Sequence, residues 1–145
     1  MSELDYSFNK VNFHYEGGIS EAFPLIDPGI VPLGQRVLVQ LRKPKAKTSG
    51  GIILPSETRE TETWNTQVAV VRAVGPVAFR KIDDLTPWPE GAWVSEGEFV
   101  RVPKYGGDRF SVTDGDGIEV IFILFRDTDL IAKVTGDPLA VKAFI

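Results

Sequence analysis

Apolar and polar residues alternate along short runs from residue 32 onward. In the first run, Val37, Val39 and Leu41 share one side, which is the period-two pattern of a β-strand with a buried face. Glycine, proline and aspartate separate the runs, as expected for turns. The runs that fit this pattern are residues 35–41, 67–74, 98–103, 109–113, 118–125 and 130–134.

The fifth run, residues 118–125, is apolar on both faces, so we expect it to be covered on both sides. The turn before it, residues 113–117, contains two spaced aspartates that faintly resemble a calcium loop. The third ligand position and the distant glutamate of an EF-hand are absent at the required spacing. The segment is therefore interpreted as a hairpin turn.

Three segments lack this alternation. Residues 1–29 contain several aromatic side chains and one short candidate strand at 11–15, and we interpret them as an extension that lies over the domain or stays mobile. Residues 76–97 are rich in proline and glycine, so regular structure is not expected there. Residues 135–145 form a tail that fits either a short helix or a frayed end.

Five or six short strands with almost no helix predict an all-β fold, which is a small barrel or a sandwich. The alternation places this domain at residues 30–134. Trp88 and Trp93, in the proline-rich segment, are expected either to be partly exposed or to cover one end of the barrel.

A long polar segment, residues 43–64, joins the first two strands and contains an apolar run at its centre. Lysine, threonine, serine and glutamate flank this run, a composition typical of a segment that builds no core of its own. One interpretation is a buried strand end, since isolated apolar runs are usually core. The other is an exposed anchor that orders on a partner. The residues concerned are Gly50, Gly51, Ile52, Ile53 and Leu54.

Composition narrows the functional classes. The chain has 145 residues, no cysteine, one histidine and a formal net charge of −4 at pH 7. Disulfides and sulfur chemistry are excluded, and a nucleic-acid or anionic-membrane binder is not expected. His14 has no base–nucleophile partner nearby, and no phosphate-binding glycine loop or zinc constellation is present. We therefore assign no catalytic, cofactor-binding or metal-binding residue.

The sequence shows no targeting signal, and we expect a cytoplasmic protein. Residues 1–5 are acidic and lack an apolar stretch, so no signal peptide is expected. No apolar run approaches membrane-spanning length. The absence of cysteine is compatible with a reducing compartment.

The order of several short motifs resembles the co-chaperonin family, the GroES-type ten-kilodalton chaperonins. The pattern is a proline–leucine opening, a Gly-Gly-Ile-Ile-Leu run in a loop, a valine–glycine turn, a Lys-Tyr-Gly-Gly stretch and a closing aspartate-led strand. Each motif is weak alone, whereas their order over residues 31–134 is specific. The motifs lie at residues 32–39, 50–55, 70–76, 97–100, 104–107 and 127–132.

The resemblance implies a GroES-like β-barrel with a mobile loop at 43–64 and a roof segment at 76–97. It implies a heptameric ring that caps an ATP-driven, GroEL-type chaperonin and encloses unfolded substrate protein. Neighbouring barrels would pair residues 32–41 with residues 130–134, which would hide exposed strand edges. The residues that would bind the apical domains of the chaperonin are Gly50, Gly51, Ile52, Ile53 and Leu54.

Several features depart from the family pattern. Gln35 replaces the aspartate that usually precedes the arginine of the first strand. Both terminal extensions lack counterparts in ordinary bacterial members, and the loop continues through residues 56–65. This divergence resembles that of co-chaperonins carried by large tailed phages, which would place the protein in the host cytoplasm.

Two other functional classes fit parts of the pattern. One is a barrel-shaped virion or adaptor protein in which the apolar run docks onto a capsid partner. The other is an enzyme, since the barrel resembles the catalytic domain of medium-chain alcohol dehydrogenases. The missing cysteines, the single histidine and the missing nucleotide-binding half argue against the enzyme.

Overall fold

The computed structural model describes residues 18–43, 67–113, 115, 117 and 119–139. All six runs expected from the alternation contain a strand, and an all-β architecture is confirmed for this part of the chain. The elements are α1 Ile19–Ala22, β1 Arg36–Leu41, β2 Val68–Val74, β3 Phe99–Arg101, β4 Asp108–Thr113, β5 Glu119–Arg126, the 3-10 turn η1 Asp127–Asp129 and β6 Ala132–Val134.

The strands form one antiparallel sheet in the order β4-β5-β1-β2-β3-β6. Strand β1 lies at its centre, where Val37 faces Phe125 of β5 on one side and Val74 of β2 on the other. The expectation that residues 32–41 pair with a neighbouring copy is therefore wrong for β1, because both of its edges are already paired within the chain. Only the residues before β1 remain for such pairing.

The final strand is shorter than the sequence pattern predicts. Residues 130–134 alternate correctly, but β6 begins at Ala132. The reason is local, because the backbone N–H of Leu130 donates to the Asp127 carbonyl at 3.3 Å and so closes η1.

The inner face of the sheet holds the main core. Val39, Val71 and Val100 come from three adjacent strands and are fully buried there. Strand β5 contributes to both faces, since Ile123 and Phe125 join this core while Phe122 lies in a second cluster. The expectation that β5 is covered on both sides is confirmed.

The outer face is covered by the segment that precedes β1. Phe23 packs in one cluster with Val70 and Phe99, and its ring meets that of Phe99 edge-on at 5.1 Å. Ile26 continues this cover over a further cluster around Phe122. Of the two alternatives for the N-terminal extension, the described residues 18–26 therefore lie over the domain. The candidate strand at 11–15 and His14 lie outside the described residues.

The proline-rich segment at 76–97 closes one end of the inner core. Phe79 and Val94 are buried in it, and Trp88 and Trp93 are half-buried against it. The two indoles stack at 6.1 Å, and Trp93 meets Phe79 at 5.5 Å. Both tryptophans are thus partly exposed, which is the first of the two alternatives, and they also pack against the inner core. Among the described residues of this segment, pairing is limited to an isolated bridge between Arg80 and Pro87.

Gly75 ends β2 at a place where another residue would not fit. A Cβ atom built on it would lie 2.4 Å from the carbonyl oxygen of Gly34 and 2.7 Å from that of Arg36. Its N–H donates to the Arg36 carbonyl at 2.8 Å. The valine–glycine turn therefore has a steric cause, because the strand end passes against the entry to β1.

Candidate functional site

The two ends of the long loop leave the sheet side by side. Leu41 faces Ala69 in the β1–β2 ladder, and the N–H of Arg42 donates to the Val68 carbonyl at 3.1 Å. The chain therefore departs after Lys43 and returns at Gln67 from neighbouring positions. We call Arg42, Lys43 and Gln67 the loop root.

The predicted anchor residues lie outside the part of the chain that the structure describes. Residues 44–66 as a whole fall there, so the structure places the root of the loop and not the anchor. The residues concerned are Gly50, Gly51, Ile52, Ile53 and Leu54.

Gln67 fixes the returning end of the loop. Its side-chain Nε2 donates to the Val102 carbonyl at 3.1 Å, and its Oε1 accepts from Nη2 of Arg101 at 3.1 Å. Its own carbonyl accepts from the Val102 N–H at 2.8 Å. Donor and acceptor groups of one glutamine therefore tie this end to β3, which leaves it few alternative positions.

The departing end is tied to both terminal segments. The N–H of Lys43 donates to the Ala22 carbonyl at 2.8 Å. Arg42 is only 3 % exposed, and its Nη1 donates to the carbonyls of Pro138 at 3.0 Å and Leu139 at 3.5 Å. Burying a guanidinium is costly unless its donors find acceptors, and these carbonyls supply acceptors for Nη1.

A second arginine, Arg72 of β2, joins the sheet to the N-terminal segment. Arg72 donates through Nε to Oε1 of Gln40 at 2.8 Å and through Nη2 to the Phe23 carbonyl at 3.2 Å. Nε2 of Gln40 in turn donates to the Pro24 carbonyl at 2.8 Å. Burial lowers the pKa of Arg72, although arginine remains a cation at any physiological pH. This network holds the N-terminal segment on the sheet.

Large apolar side chains are exposed on the chain segments around β1 and β6. Val31 and Leu33 alternate with buried Pro32 just before β1 and are 77 % and 72 % exposed. Ile131, just before β6, is 55 % exposed. Among the described residues, no strand pairs with the free edge of β6. Exposed large apolar side chains and a free strand edge are each typical of a protein that associates.

The described ranges hold no group of three or more histidine, cysteine, aspartate or glutamate side chains that could hold a metal. In the same ranges, no helix has both the length and the apolar character needed to cross a membrane.

Sequence reasoning missed that Gln40 and Arg72 hold the N-terminal segment and that Arg42 bonds to the C-terminal segment. All three lie on predicted strands or at a strand end, where a polar residue is normally assigned to the solvent face. The only signal in the sequence was the alternation of side chains along β1. It placed Gln40 on the face opposite Val39 but did not show what covers that face.

Comparison with known proteins places the chain among chaperonin subunits. Residues 29–134 match the model of the family described as "Chaperonin 10 Kd subunit". The chain is 33 % identical over 112 residues to a protein named co-chaperonin GroES from Methylacidiphilum infernorum, covering 77 % of this chain and 100 % of that protein.

Two further relatives come from distant sources. The mitochondrial 10 kDa heat shock protein of Saccharomyces cerevisiae is 37 % identical over 108 residues, which cover 74 % of this chain and 91 % of the relative. Co-chaperonin GroES of Thermotoga petrophila is 33 % identical over 105 residues, which cover 72 % of this chain and 95 % of the relative. The antiparallel sheet fits the small GroES-like β-barrel expected from the motifs. The chain belongs to the GroES-type, ten-kilodalton co-chaperonin family.

Proposed function

We propose that this protein forms a ring that caps an ATP-driven, GroEL-type chaperonin and encloses unfolded substrate protein for folding. The observation that carries the proposal is the family match across residues 29–134, which includes both ends of the loop between β1 and β2. The protein acts by binding, without catalysis or a cofactor of its own, in the cytoplasm where such a chaperonin operates.

The loop binds the apical domains of the chaperonin through its apolar centre. Ile52, Ile53 and Leu54 dock in a hydrophobic groove, where full burial of each side chain contributes roughly 1.5–3 kcal/mol. Ordering the loop costs about 1–2 kcal/mol for each fixed residue, so one loop binds weakly. Gly50 and Gly51 supply the backbone freedom that the bound turn requires.

A heptameric ring turns these weak contacts into tight binding. Once one loop has docked, the others bind at a high effective concentration because they are tethered to the same ring. Weak single contacts also let the cap dissociate when nucleotide turnover changes the chaperonin groove. The exposed Val31 and Leu33, together with the free edge of β6, support association between neighbouring barrels.

The direct test is size-exclusion chromatography of the purified protein with a bacterial GroEL-type chaperonin, with and without nucleotide. We expect a ring-sized species that elutes with the chaperonin only when nucleotide is present. A stable protein that does not elute with the chaperonin in any nucleotide state would overturn the proposal. Co-purification with virion parts would then favour the adaptor interpretation, which the family match does not favour.

The anchor is tested by Ile53→Asp. A buried carboxylate loses the apolar contribution and adds a desolvation cost, so capping should fall below detection while the ring stays assembled. The measurement is chaperonin-assisted refolding of a dependent substrate, with ring size checked by light scattering. The matched control is Thr63→Asp, which adds the same charge to the polar part of the loop and should leave refolding unchanged. Refolding by Ile53→Asp at the wild-type level would show that the anchor lies elsewhere.

A further inference from the structure

Both terminal segments of the chain meet at the root of the long loop. Residues 19–24 and residues 137–139 lie outside the region that matches the family, residues 29–134. In the fold they nevertheless converge on Arg42 and Lys43. Residues 19–24 and 137–139 therefore contact the base of the loop although they are not part of the region shared with the family.

The two terminal segments make apolar contacts with each other and with β2. Phe23, Leu139 and Ala22 are buried with Val68 and Val70 in one cluster on the outer face of the sheet. Leu139 is 1 % exposed, and its N–H donates to Oδ1 of Asp137 at 2.9 Å, which shapes the turn that delivers it. The two termini thus share one small core over the first residues of β2.

The two terminal segments also accept hydrogen bonds from the loop root. From the N-terminal side, the Ala22 carbonyl accepts the N–H of Lys43, the first residue of the loop. From the C-terminal side, the carbonyls of Pro138 and Leu139 accept from the buried guanidinium of Arg42. Arg42 therefore lies between the two termini and bonds to one of them, while its neighbour bonds to the other.

We propose that residues 19–24 and 137–139 form a clamp that fixes the loop root, with Arg42 as the positioning residue that joins the clamp to the loop. This inference rests on the proposed function, because it says how the terminal segments tune chaperonin binding. The clamp holds Arg42 and Lys43 in place and so fixes the position from which the loop leaves the sheet.

The physical consequence is a smaller entropic cost of docking. Every root residue that is already ordered in the free protein need not be ordered when the loop binds. Releasing the clamp lets the root residues move as part of the loop, so each loop must order more chain on the chaperonin. Because the loops of a ring act together, we expect the apparent Kd to rise by at least about tenfold.

The test uses the full chain and two substitutions in the clamp. Leu139→Ala removes apolar contacts at a buried position that is far from the loop in sequence. Arg42→Met removes the donors and keeps most of the side-chain length. The two measurements are hydrogen exchange at the Lys43 amide and the Kd for a GroEL-type chaperonin in the presence of nucleotide. Both variants should exchange the Lys43 amide about tenfold faster or more and bind about tenfold more weakly.

Val120→Ala is the matched control. Val120 is 1 % exposed and packs with Leu38 and Phe122 in a cluster away from the loop root. Its substitution should lower the denaturation midpoint without changing Lys43 exchange under native conditions or the Kd. The clamp proposal would be wrong if the Lys43 amide exchanged at the wild-type rate in both clamp variants. It would also be wrong if Val120→Ala weakened chaperonin binding as much as the clamp variants do.

The two proposals fail in different ways. If the wild-type protein does not bind the chaperonin, the proposed function fails and the effect on affinity fails with it. Lys43 exchange then still decides whether the terminal segments hold the loop root.

Discussion

A single carboxylate joins the segment that closes the barrel to the end of β5. Asp127 is 4 % exposed; its Oδ2 accepts from the Phe79 N–H at 2.7 Å and its Oδ1 from the Thr128 N–H at 2.7 Å. Phe79 has φ of 63°, in the left-handed region, where a bulky residue is strained by about 1–3 kcal/mol. The burial of its ring and the hydrogen bond that its N–H donates to Asp127 compensate for this strain.

Replacing Asp127 by alanine should therefore be strongly destabilising. The Phe79 N–H would lose its charged acceptor inside the core, at a cost of about 3 kcal/mol in the free energy of unfolding. The measurement is the guanidinium denaturation midpoint at a fixed protein concentration. Asp127→Asn, which keeps one acceptor oxygen, should fall between the wild type and Asp127→Ala.

The control for this prediction lies two residues away. Asp129 belongs to the same 3-10 turn and is exposed, so Asp129→Ala should change the free energy of unfolding by about 0.5 kcal/mol or less. Equal losses from Asp127→Ala and Asp129→Ala would mean that the turn, and not the bond to Phe79, is what matters.

At the residue scale, sequence reasoning recognised turn residues and missed their distant partners. It placed a turn between the fifth and sixth runs because aspartate is among the residues that separate the runs. It could not show that Asp127 holds Phe79, which is far away along the chain. It also placed a break at Gly75, whereas the close approach of Gly34 and Arg36 became visible only in the fold.

At the scale of elements, the short strands β3 and β6 are joined by an ion pair. Lys133 of β6 contacts Glu98, next to β3, with Nζ and Oε2 2.7 Å apart, and Oε1 of Glu98 accepts from the Ser95 N–H at 2.7 Å. The hydrogen bond from Lys133 is the main reason that the pKa of Glu98 lies below its ordinary value of 4.5. One carboxylate thus supports both the edge strand and the turn before β3.

This pair predicts a specific pH dependence. Because the pKa of Glu98 is lower in the folded protein than in the unfolded chain, its stabilisation is fully present above pH 4.5 and is lost as the pH falls through the folded value. In Glu98→Gln, the drop in Tm between about pH 5 and about pH 3 should be shallower than in the wild type. Both side chains are partly exposed, so the difference should amount to a few degrees at most.

Glu119→Gln is the control for the pH series. Glu119 begins β5 at an exposed position, and its substitution should leave the slope of Tm against pH close to that of the wild type. A Glu98→Gln protein whose Tm follows the wild-type curve through the acid range would contradict the assigned role of the pair.

The sequence predicted the strands well and the covering segments poorly. Strands β1, β2 and β5 stand out because alternation and β-branched residues are local signals. The helical turn α1 was missed, since a single turn carries no period that can be recognised. What α1 covers depends on Val68 and Val70 of β2, which no local pattern connects to it.

At the scale of the whole molecule, the exposed surface predicts where neighbouring barrels meet. The double substitution Val31→Asp with Leu33→Asp places two charges on the segment before β1. If this segment pairs with the β6 edge of a neighbour, the charges must be desolvated at the interface, and the ring should dissociate into smaller species. Light scattering coupled to size-exclusion chromatography measures the mass directly.

Ile82→Asp is the control for assembly. Ile82 is 76 % exposed, close to the exposure of Val31, but lies in the segment that closes the barrel end. This variant should keep the wild-type mass. A ring that survives the double substitution would show that another surface, such as the free edge of β4, carries the association.

The sequence by itself determined the all-β class, the strand positions and the family, and the long loop with its apolar centre stays a prediction. These features depend on neighbours in the chain or on the order of short motifs, both of which are present in the sequence. Only the tertiary structure decided that β1 is central, that Asp127 holds Phe79 and that both termini meet at Arg42 and Lys43. Those relations join residues that are distant along the chain, and side-chain alternation carries no information about which distant residues will touch.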